Sequence, residues 1–510
     1  MKKNILYIAM LIACTPFLDG CRRELNVNPQ ARIPLPNYYK TQADAFAALV
    51  AVYDRFGFQT GGLYDKLAIM DVASDDQQTG GGSSSDINDL QVMEHYSLSA
   101  QTGPAAYLWN RGYSGVYRAN VLLAQMGRIP MDDGLKKRYI AELKAMRAAF
   151  YFDLVFFFKN IPLLQGVLPV DSIYNVVQTT PDKIWAYVEK DLTEAIPDLP
   201  VTVDIVKEGG RFTQGGAKAL FGKVLLYEKK WQAAADQLKP VNGDNPGVSP
   251  SMYGYQLLPN YGDLWKTGSK FNSESIIEFV HTTKSNGNWS DAGATEGNLN
   301  CITSGPRSYG LTTGHTSPDY YAGFGFLIVG KTFAENVIKG DPRYAATVAN
   351  VDSLQAAGVC TYSASYLNTG YFLNKFMGRI ANKATSGIVE LNFAQDEYEI
   401  RLADTYLMEA EALMNAGQGT GAGSRAYQLL NAVRARVGLP AVTTVTQDAI
   451  ELERRLELAG EGLRWPDLVR WGKAATTLAF KGFVAGKHEI FPIPQAELNN
   501  TKLVQNDAWK

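Results

Sequence analysis

The chain has 510 residues, of which 46% are hydrophobic and 20% are charged, a composition typical of a globular protein with a large core. Its 49 basic and 51 acidic residues leave a net charge of -2. Nucleic-acid binding needs a basic surplus that neutralises phosphates, so this balance argues against a nucleic-acid partner.

The N-terminus has the pattern of a bacterial lipoprotein signal peptide, which we predict over residues 1–20. Two lysines precede an apolar stretch that is too short to persist as a membrane-spanning helix. Gly20 and Leu18 stand one and three residues before Cys21, as at a lipoprotein cleavage site. We predict that Cys21 is acylated and anchors the mature chain, which then has no transmembrane helix; cleavage before Cys14 is the alternative.

The mature chain is predicted to begin with an extended tether and to continue as helices. Residues 21–40 contain three prolines, which favour an extended segment. Beyond them, apolar residues recur at the helical spacings i, i+3, i+4 and i+7. This spacing predicts helices over about 42–56, 109–123, 135–158 and 180–197, a helix pair within 217–238, and a last pair over 401–416 and 424–437.

The pair within residues 217–238 has the spacing of a tetratricopeptide (TPR) repeat. Gly222 takes the small position of its first helix, and Trp231 begins the second helix. Ala234 and Leu238 take the small and large positions of that second helix. Two antiparallel helices approach closely only where small residues meet. We therefore predict a mainly α fold, with a TPR-like scaffold of four helix pairs and a large irregular, loop-rich insertion region.

Two long insertions interrupt this scaffold, at residues 57–105 and 241–400. Both are rich in residues that favour loops, such as Gly, Asn, Ser and Thr. Loops on one face of a repeat scaffold usually carry function, while the repeats carry stability. We accordingly divide the chain after the tether into an N-terminal region at 41–240, a ligand-side region at 241–400 and a C-terminal region at 401–510.

Motifs of common catalytic chemistry are absent from the sequence or lie in the wrong context. Residues 325–332 match the spacing of a P-loop, but bulky apolar residues fill the loop and no strand precedes it. The four histidines are scattered, so we predict no metal site and no cofactor. Asp75 and Asp76 keep an anchored hydrolase as a weaker hypothesis, since two carboxylates about 5–10 Å apart can cleave a glycosidic bond.

The mature chain keeps two cysteines, Cys301 and Cys360. In an oxidising compartment they could form a disulfide. Two separate buried thiols are the alternative, and the sequence leaves both open.

Sequence motifs follow one another in a recognisable order along most of the mature chain. They are Gly210-Arg211-Phe212-Thr213, Asp341-Pro342-Arg343, the charged stretch from Glu453 to Gly472, and Phe491-Pro492-Ile493-Pro494. In this order they resemble the SusD/RagB family of outer-membrane nutrient-binding lipoproteins. The resemblance covers nearly the whole mature length, with Asn26 in place of an acidic residue usual near the family's anchor.

The resemblance implies a surface-exposed outer-membrane lipoprotein that docks onto a SusC-like TonB-dependent transporter as a hinged lid. It implies a protein that captures a polysaccharide or oligosaccharide, delivers it to that transporter and catalyses nothing itself. A peptide-capturing RagB-like lipoprotein and a TPR protein-interaction module are the alternatives.

We expect the ligand contacts in the two insertions. A glycan site needs flat aromatic rings and groups that hydrogen-bond to hydroxyls. The candidates in the first insertion are Tyr64, Asp75, Asp76, Gln77 and Asn88. The candidates in the second insertion are Asn288, Trp289, Arg307, Tyr309, Tyr320 and Tyr321.

Two other conspicuous groups of residues are predicted to be structural. Trp109, Tyr113 and Tyr117 follow a helical stripe, which favours a place in the core. The charged residues from Glu453 to Arg464 stand at i, i+3 and i+4 spacings. That spacing predicts ion pairs along one helix rather than an active site.

Overall fold

The computed structural model describes residues 38–57, 63–284, 289 and 295–510. The predicted signal peptide, Cys21 and Asn288 lie outside the described residues. In chain order the described helices are α1 (Gln42–Phe56), α2 (Lys66–Ala73), α3 (Asn88–Glu94), α4 (Ala105–Gln125), α5 (Asp133–Phe158), α6 (Pro181–Ala195), α7 (Ile205–Glu208), α8 (Gln214–Tyr227), α9 (Trp231–Asn242), α10 (Asn300–Thr303), α11 (Tyr344–Thr347), α12 (Val351–Ala356), α13 (Leu402–Asn415), α14 (Arg425–Arg436), α15 (Gln447–Glu457), α16 (Arg464–Arg470), α17 (Ala474–Thr477) and α18 (Gln495–Leu498).

Eight of these helices form the predicted scaffold of four pairs. The pairs are α1 with α4, α5 with α6, α8 with α9, and α13 with α14, and each pair packs against the next. The helix ends follow the local chemistry: Thr41 and Asp44 form a capping box at the start of α1, and Ser424 caps α14. The mainly α, TPR-like fold with an irregular second region is therefore confirmed.

Close helix contact in the third pair depends on Gly222. A Cβ atom built on this residue would lie 2.4 Å from Cγ of the buried Leu238 on α9. We expect Gly222→Ala to lower the free energy of unfolding by about 1–3 kcal/mol, because the helices must separate or Leu238 must leave its rotamer. Urea denaturation of the wild type and the variant measures this difference in the free energy of unfolding. Gly127→Ala is the matched control, because a Cβ there meets nothing within 4 Å; equal stabilities would contradict the predicted contact.

Short antiparallel strands join the two insertions to each other. The strands are β1 (Gln77–Thr79), β2 (Ser275–Phe279), β3 (Arg307–Leu311), β4 (Leu327–Val329), β5 (Val348–Asn350), β6 (Cys360–Ser363), β7 (Tyr371–Leu373) and β8 (Glu397–Arg401). One sheet has the order β1-β4-β7-β5, and β2 pairs with β8 and β3 with β6. Gln77 lies opposite Val329, so a strand of the first insertion is paired with a strand of the second. The P-loop-like stretch thus forms buried strand β4.

The aromatic stripe on α4 is only partly in the core. Trp109 is buried and Tyr113 is half-buried, but Tyr117 is 55% exposed. The prediction is therefore wrong for Tyr117. At 3.6 residues per turn, a stripe with a spacing of four drifts by about 80° over eight residues, which carries the third ring out of the core.

The C-terminal charged motif forms ion pairs with other parts of the fold instead of along one helix. Helix α15 ends at Glu457, so Glu461 lies beyond it. Arg343 Nη1 donates to Glu453 at 2.6 Å and to Glu457 at 3.0 Å. Arg401 donates to both Glu457 and Glu461 at 2.7 Å. The predicted structural role fits this arrangement, but the predicted geometry was wrong because it considered local partners only.

Cys301 and Cys360 are separate buried thiols.

Across the described ranges, no helix combines the length and apolar character needed to cross a bilayer. The same ranges contain no group of three or more His, Cys, Asp and Glu side chains placed to hold a metal ion.

Candidate functional site

Three loops meet where the two insertions are joined. Gly80 N–H donates to the carbonyl of Phe326 at 2.8 Å, and Gly81 N–H donates to that of Gly325 at 2.6 Å. Tyr366 N–H donates to the carbonyl of Gly81 at 2.8 Å. These backbone bonds extend the pairing of β1 with β4 into the glycine-rich loop. The surface they create, here called the insertion face, comprises residues 80–86, 289, 307–308, 324 and 365–367.

An exposed indole is the most prominent group on the insertion face. Trp289 is 42% exposed, and its ring centroid lies 6.2 Å from that of Phe324. Phe324 in turn packs on the buried Phe326 at 5.6 Å. The indole therefore rests on a column of rings and keeps one surface open. A supported, open aromatic ring is suited to stacking against the apolar side of a ring-shaped ligand.

Two side chains of opposite charge, Asp86 of the glycine-rich loop and Arg307 of β3, both lie close to Gly82. A Cβ built on Gly82 would lie 3.2 Å from an oxygen of Asp86 and 3.7 Å from Nη2 of Arg307. Asp86 accepts from Gly82 N–H at 2.8 Å, and Arg307 Nη1 donates to the carbonyl of Phe324 at 3.1 Å. Because Gly82 has no side chain, the space between Asp86 and Arg307 at this point of the backbone stays free. The face offers both acceptors and donors within a short span.

Three of the ten described non-glycine residues with positive φ angles lie beside these groups. Ile87, Ser308 and Leu367 have φ angles of 46°, 51° and 51°, in the left-handed region that non-glycine residues rarely adopt. They directly follow Asp86, Arg307 and Tyr366. Such conformations cost about 1–3 kcal/mol each and cluster at ligand sites, where the surrounding structure holds them in place.

The chain matches known proteins along most of its length. The SusD family is matched over residues 326–488, and a family described as "Starch-binding associating with outer membrane" over residues 60–226. A solved structure of a laminarin-binding SusD-like protein is 45% identical, with a TM-score of 0.87, and the match covers 92% of this chain and 100% of that one. The chain belongs to the SusD family.

Other SusD-like proteins agree with this assignment. Surface glycan-binding protein A from Bacteroides thetaiotaomicron, solved in complex with laminarihexaose, is 27% identical with a TM-score of 0.80. That match covers 92% of this chain and 100% of the other. SusD-like protein P25 of Formosa agariphila is 25% identical, over 100% of this chain and 98% of its own length.

In this SusD-family chain, two predicted site residues, Trp289 and Arg307, both contact Phe324 on the insertion face. Asn88 is exposed at the start of α3, two residues beyond Asp86. Phe324 and Asp86 also lie on this face but were not among the candidates predicted from the sequence. The glycine run before Asp86 was the available signal, but only the pairing of β1 with β4 shows which residues lie beside it.

The predicted acidic candidates, Asp75 and Asp76, form ion pairs with arginines. Arg464 Nε donates to Asp75 at 2.9 Å, and Arg455 Nε donates to Asp76 at 2.8 Å. Burial would raise the pKa of Asp75, but the guanidinium groups of Arg464 and Arg455 hold it below its ordinary value. Gln77 is buried in β1. This geometry gives these residues a structural role in supporting the loop.

The predicted tyrosines are also engaged within the fold. Tyr309 and Tyr320 are buried with ring centroids 5.5 Å apart, and Arg379 lies over Tyr320. Tyr321 is half-buried and donates to Glu390 at 2.9 Å. Tyr64 is buried in a different place and donates to Asp89 at 2.5 Å. The rings of Tyr309 and Tyr320 pack within the second insertion, whereas Tyr64 lies in the wall of a groove beside α4.

Proposed function

We propose that this protein captures a neutral glucan at the insertion face without cleaving it. The observation that carries the proposal is the exposed indole of Trp289, which is supported by Phe324, the residue whose carbonyl accepts from Arg307. A protein 45% identical to the chain is described as laminarin-binding, and a second relative was solved with laminarihexaose. Laminarin is a neutral glucose polymer, and its rings and hydroxyls match an aromatic ring beside paired donors and acceptors.

The chemistry of the face favours binding over hydrolysis. Among the described residues that define the insertion face, only Asp86 carries a carboxylate. Glycosidases use two carboxylates on either side of the scissile bond. Two of the relatives reported above are described as binding glycans, one laminarin and the other laminarihexaose, which favours a glycan over a peptide as the ligand.

The location and partner belong to the same proposal. Acylation at Cys21 would hold the protein at the outer membrane, in keeping with a matched family described as associating with that membrane. A SusC-like TonB-dependent transporter would then receive the captured glycan. The resemblance to the SusD/RagB family supports this partner.

Calorimetry on the ectodomain from Arg22 tests the capture proposal. We expect saturable binding of laminarihexaose and no release of shorter oligosaccharides after prolonged incubation. Cellohexaose, maltohexaose and a neutral peptide serve as comparison ligands. The proposal fails if no glycan binds, or if the purified protein shortens the glycan that it binds.

A further inference from the structure

A concave site lies between α4, the loop that joins α5 to α6, and the segment around α18. It is an open groove of about 990 Å³, here called the aromatic groove, and its lining shares no residue with the insertion face. Ligand sites in proteins usually have volumes of roughly 300–1,000 Å³. The groove is therefore large enough for an extended small ligand.

Two tyrosine rings line the groove and remain open to solvent. Tyr117 on α4 is 55% exposed, and Tyr174 on the α5–α6 loop is 60% exposed. Tyr113 lies between Tyr117 and Trp109 along α4. The ring centroids of Tyr113 and the buried Trp109 are 4.7 Å apart. Exposed rings on separate walls offer stacking surfaces to a ligand that lies between them.

Hydrogen bonds hold the walls of the groove in place. Tyr113 donates to the carbonyl of Pro162 at 2.8 Å, and Asn120 donates to that of Leu164 at 2.8 Å, which ties the loop to α4. The N–H of Lys502 donates to the carbonyl of Tyr174 at 3.2 Å, which ties the loop to the C-terminal segment. A groove fixed in this way loses little conformational freedom when it binds a ligand.

The charged side chains of the lining are of both signs, and two of them are engaged within the fold, which favours a neutral ligand: Arg55 donates to Ser114 at 3.0 Å, and Asp89 accepts from Tyr64 at 2.5 Å. Asn110 and Asn499 expose amide groups, and Ser114 adds a half-buried hydroxyl. Burial raises the pKa of the Glu497 carboxyl above its ordinary value. Protein interfaces are larger surfaces, whereas rings with a few polar groups in a concave site are typical of small-ligand binding.

We propose that the aromatic groove is a second binding site for a neutral oligosaccharide, separate from the insertion face. The inference rests on the proposed capture function, because the same class of ligand would occupy both sites. A second site on one chain would let two stretches of a long polymer bind together, and this raises its apparent affinity through effective concentration.

Variants that remove one site at a time test the proposal with laminarihexaose as the probe. Trp289→Ala leaves the groove intact, so we expect residual saturable binding in calorimetry. Adding Tyr117→Ala and Tyr174→Ala should weaken that residual binding by at least about tenfold. Both tyrosines are largely exposed, so the thermal unfolding midpoint should stay unchanged. Phe480→Ala, which removes a ring that is 73% exposed elsewhere, is the matched control.

The outcomes separate this inference from the proposed function. The groove proposal is overturned if Trp289→Ala abolishes all binding, or if the residual binding of Trp289→Ala is unchanged when the two tyrosines are also replaced. Capture at the insertion face stands in either case. If laminarihexaose does not bind the wild-type ectodomain at all, both proposals fail. Residual binding that depends on Tyr117 and Tyr174 supports the second site.

Discussion

Replacing Trp289 with Ala is expected to weaken laminarihexaose binding at the insertion face by about thirtyfold, which corresponds to roughly 2 kcal/mol. The indole is 42% exposed and rests on Phe324, so its loss removes a stacking surface without opening the core. Calorimetry in the Tyr117→Ala, Tyr174→Ala background checks the prediction, because the aromatic groove then makes no contribution.

Two further variants serve as controls for Trp289→Ala. Trp289→Phe keeps a flat ring, so we expect a loss of only about threefold. Phe480→Ala removes an exposed ring outside both sites and should bind as the wild type does. A Trp289→Ala protein with undiminished affinity and an unchanged unfolding midpoint would place the glycan elsewhere on the molecule.

The scaffold could be predicted because its signals are local. Helical spacing placed α1 at residues 42–56, where the structure has Gln42–Phe56. The last pair, at Leu402–Asn415 and Arg425–Arg436, lies one residue inside the predicted bounds at each end. In both cases the apolar pattern within a single helix is enough to predict where that helix begins and ends.

The site could be predicted only in part, because burial in the insertions is set by contacts between distant residues. Composition favoured Trp289 and Arg307, which both contact Phe324. It also favoured Asp76, which pairs with Arg455, 379 residues later in the chain. Loops lack a repeating pattern that separates exposed tyrosines from packed ones, so Tyr320 looked equivalent to Trp289 in the sequence.

The buried ion network should dominate stability. Arg401 is 1% exposed and donates to Glu274 at 2.8 Å and to Glu457 and Glu461 at 2.7 Å. Arg401→Met would leave buried carboxylates without that cation. We expect a loss of about 3–5 kcal/mol in the free energy of unfolding, measured by urea denaturation at pH 7. Lys207→Met, at an ion pair whose lysine is 79% exposed, should change stability by less than about 0.5 kcal/mol.

The pH dependence distinguishes lost ion pairs from lost packing in the Arg401→Met variant. Burial alone would raise the pKa of Glu457, but Arg436, Arg401 and Arg343 hold it well below its ordinary value of 4.5. In the wild type this carboxylate therefore stabilises the fold above about pH 4.5, and the contribution is lost as the pH falls through the lowered pKa. Removing Arg401 moves the pKa of Glu457 back towards its ordinary value, while Arg436 and Arg343 remain beside it. The carboxylate of the variant therefore takes up a proton at a higher pH than that of the wild type. The stability difference should narrow as the pH falls below about 4.5, whereas a difference that arises from packing alone would stay constant there.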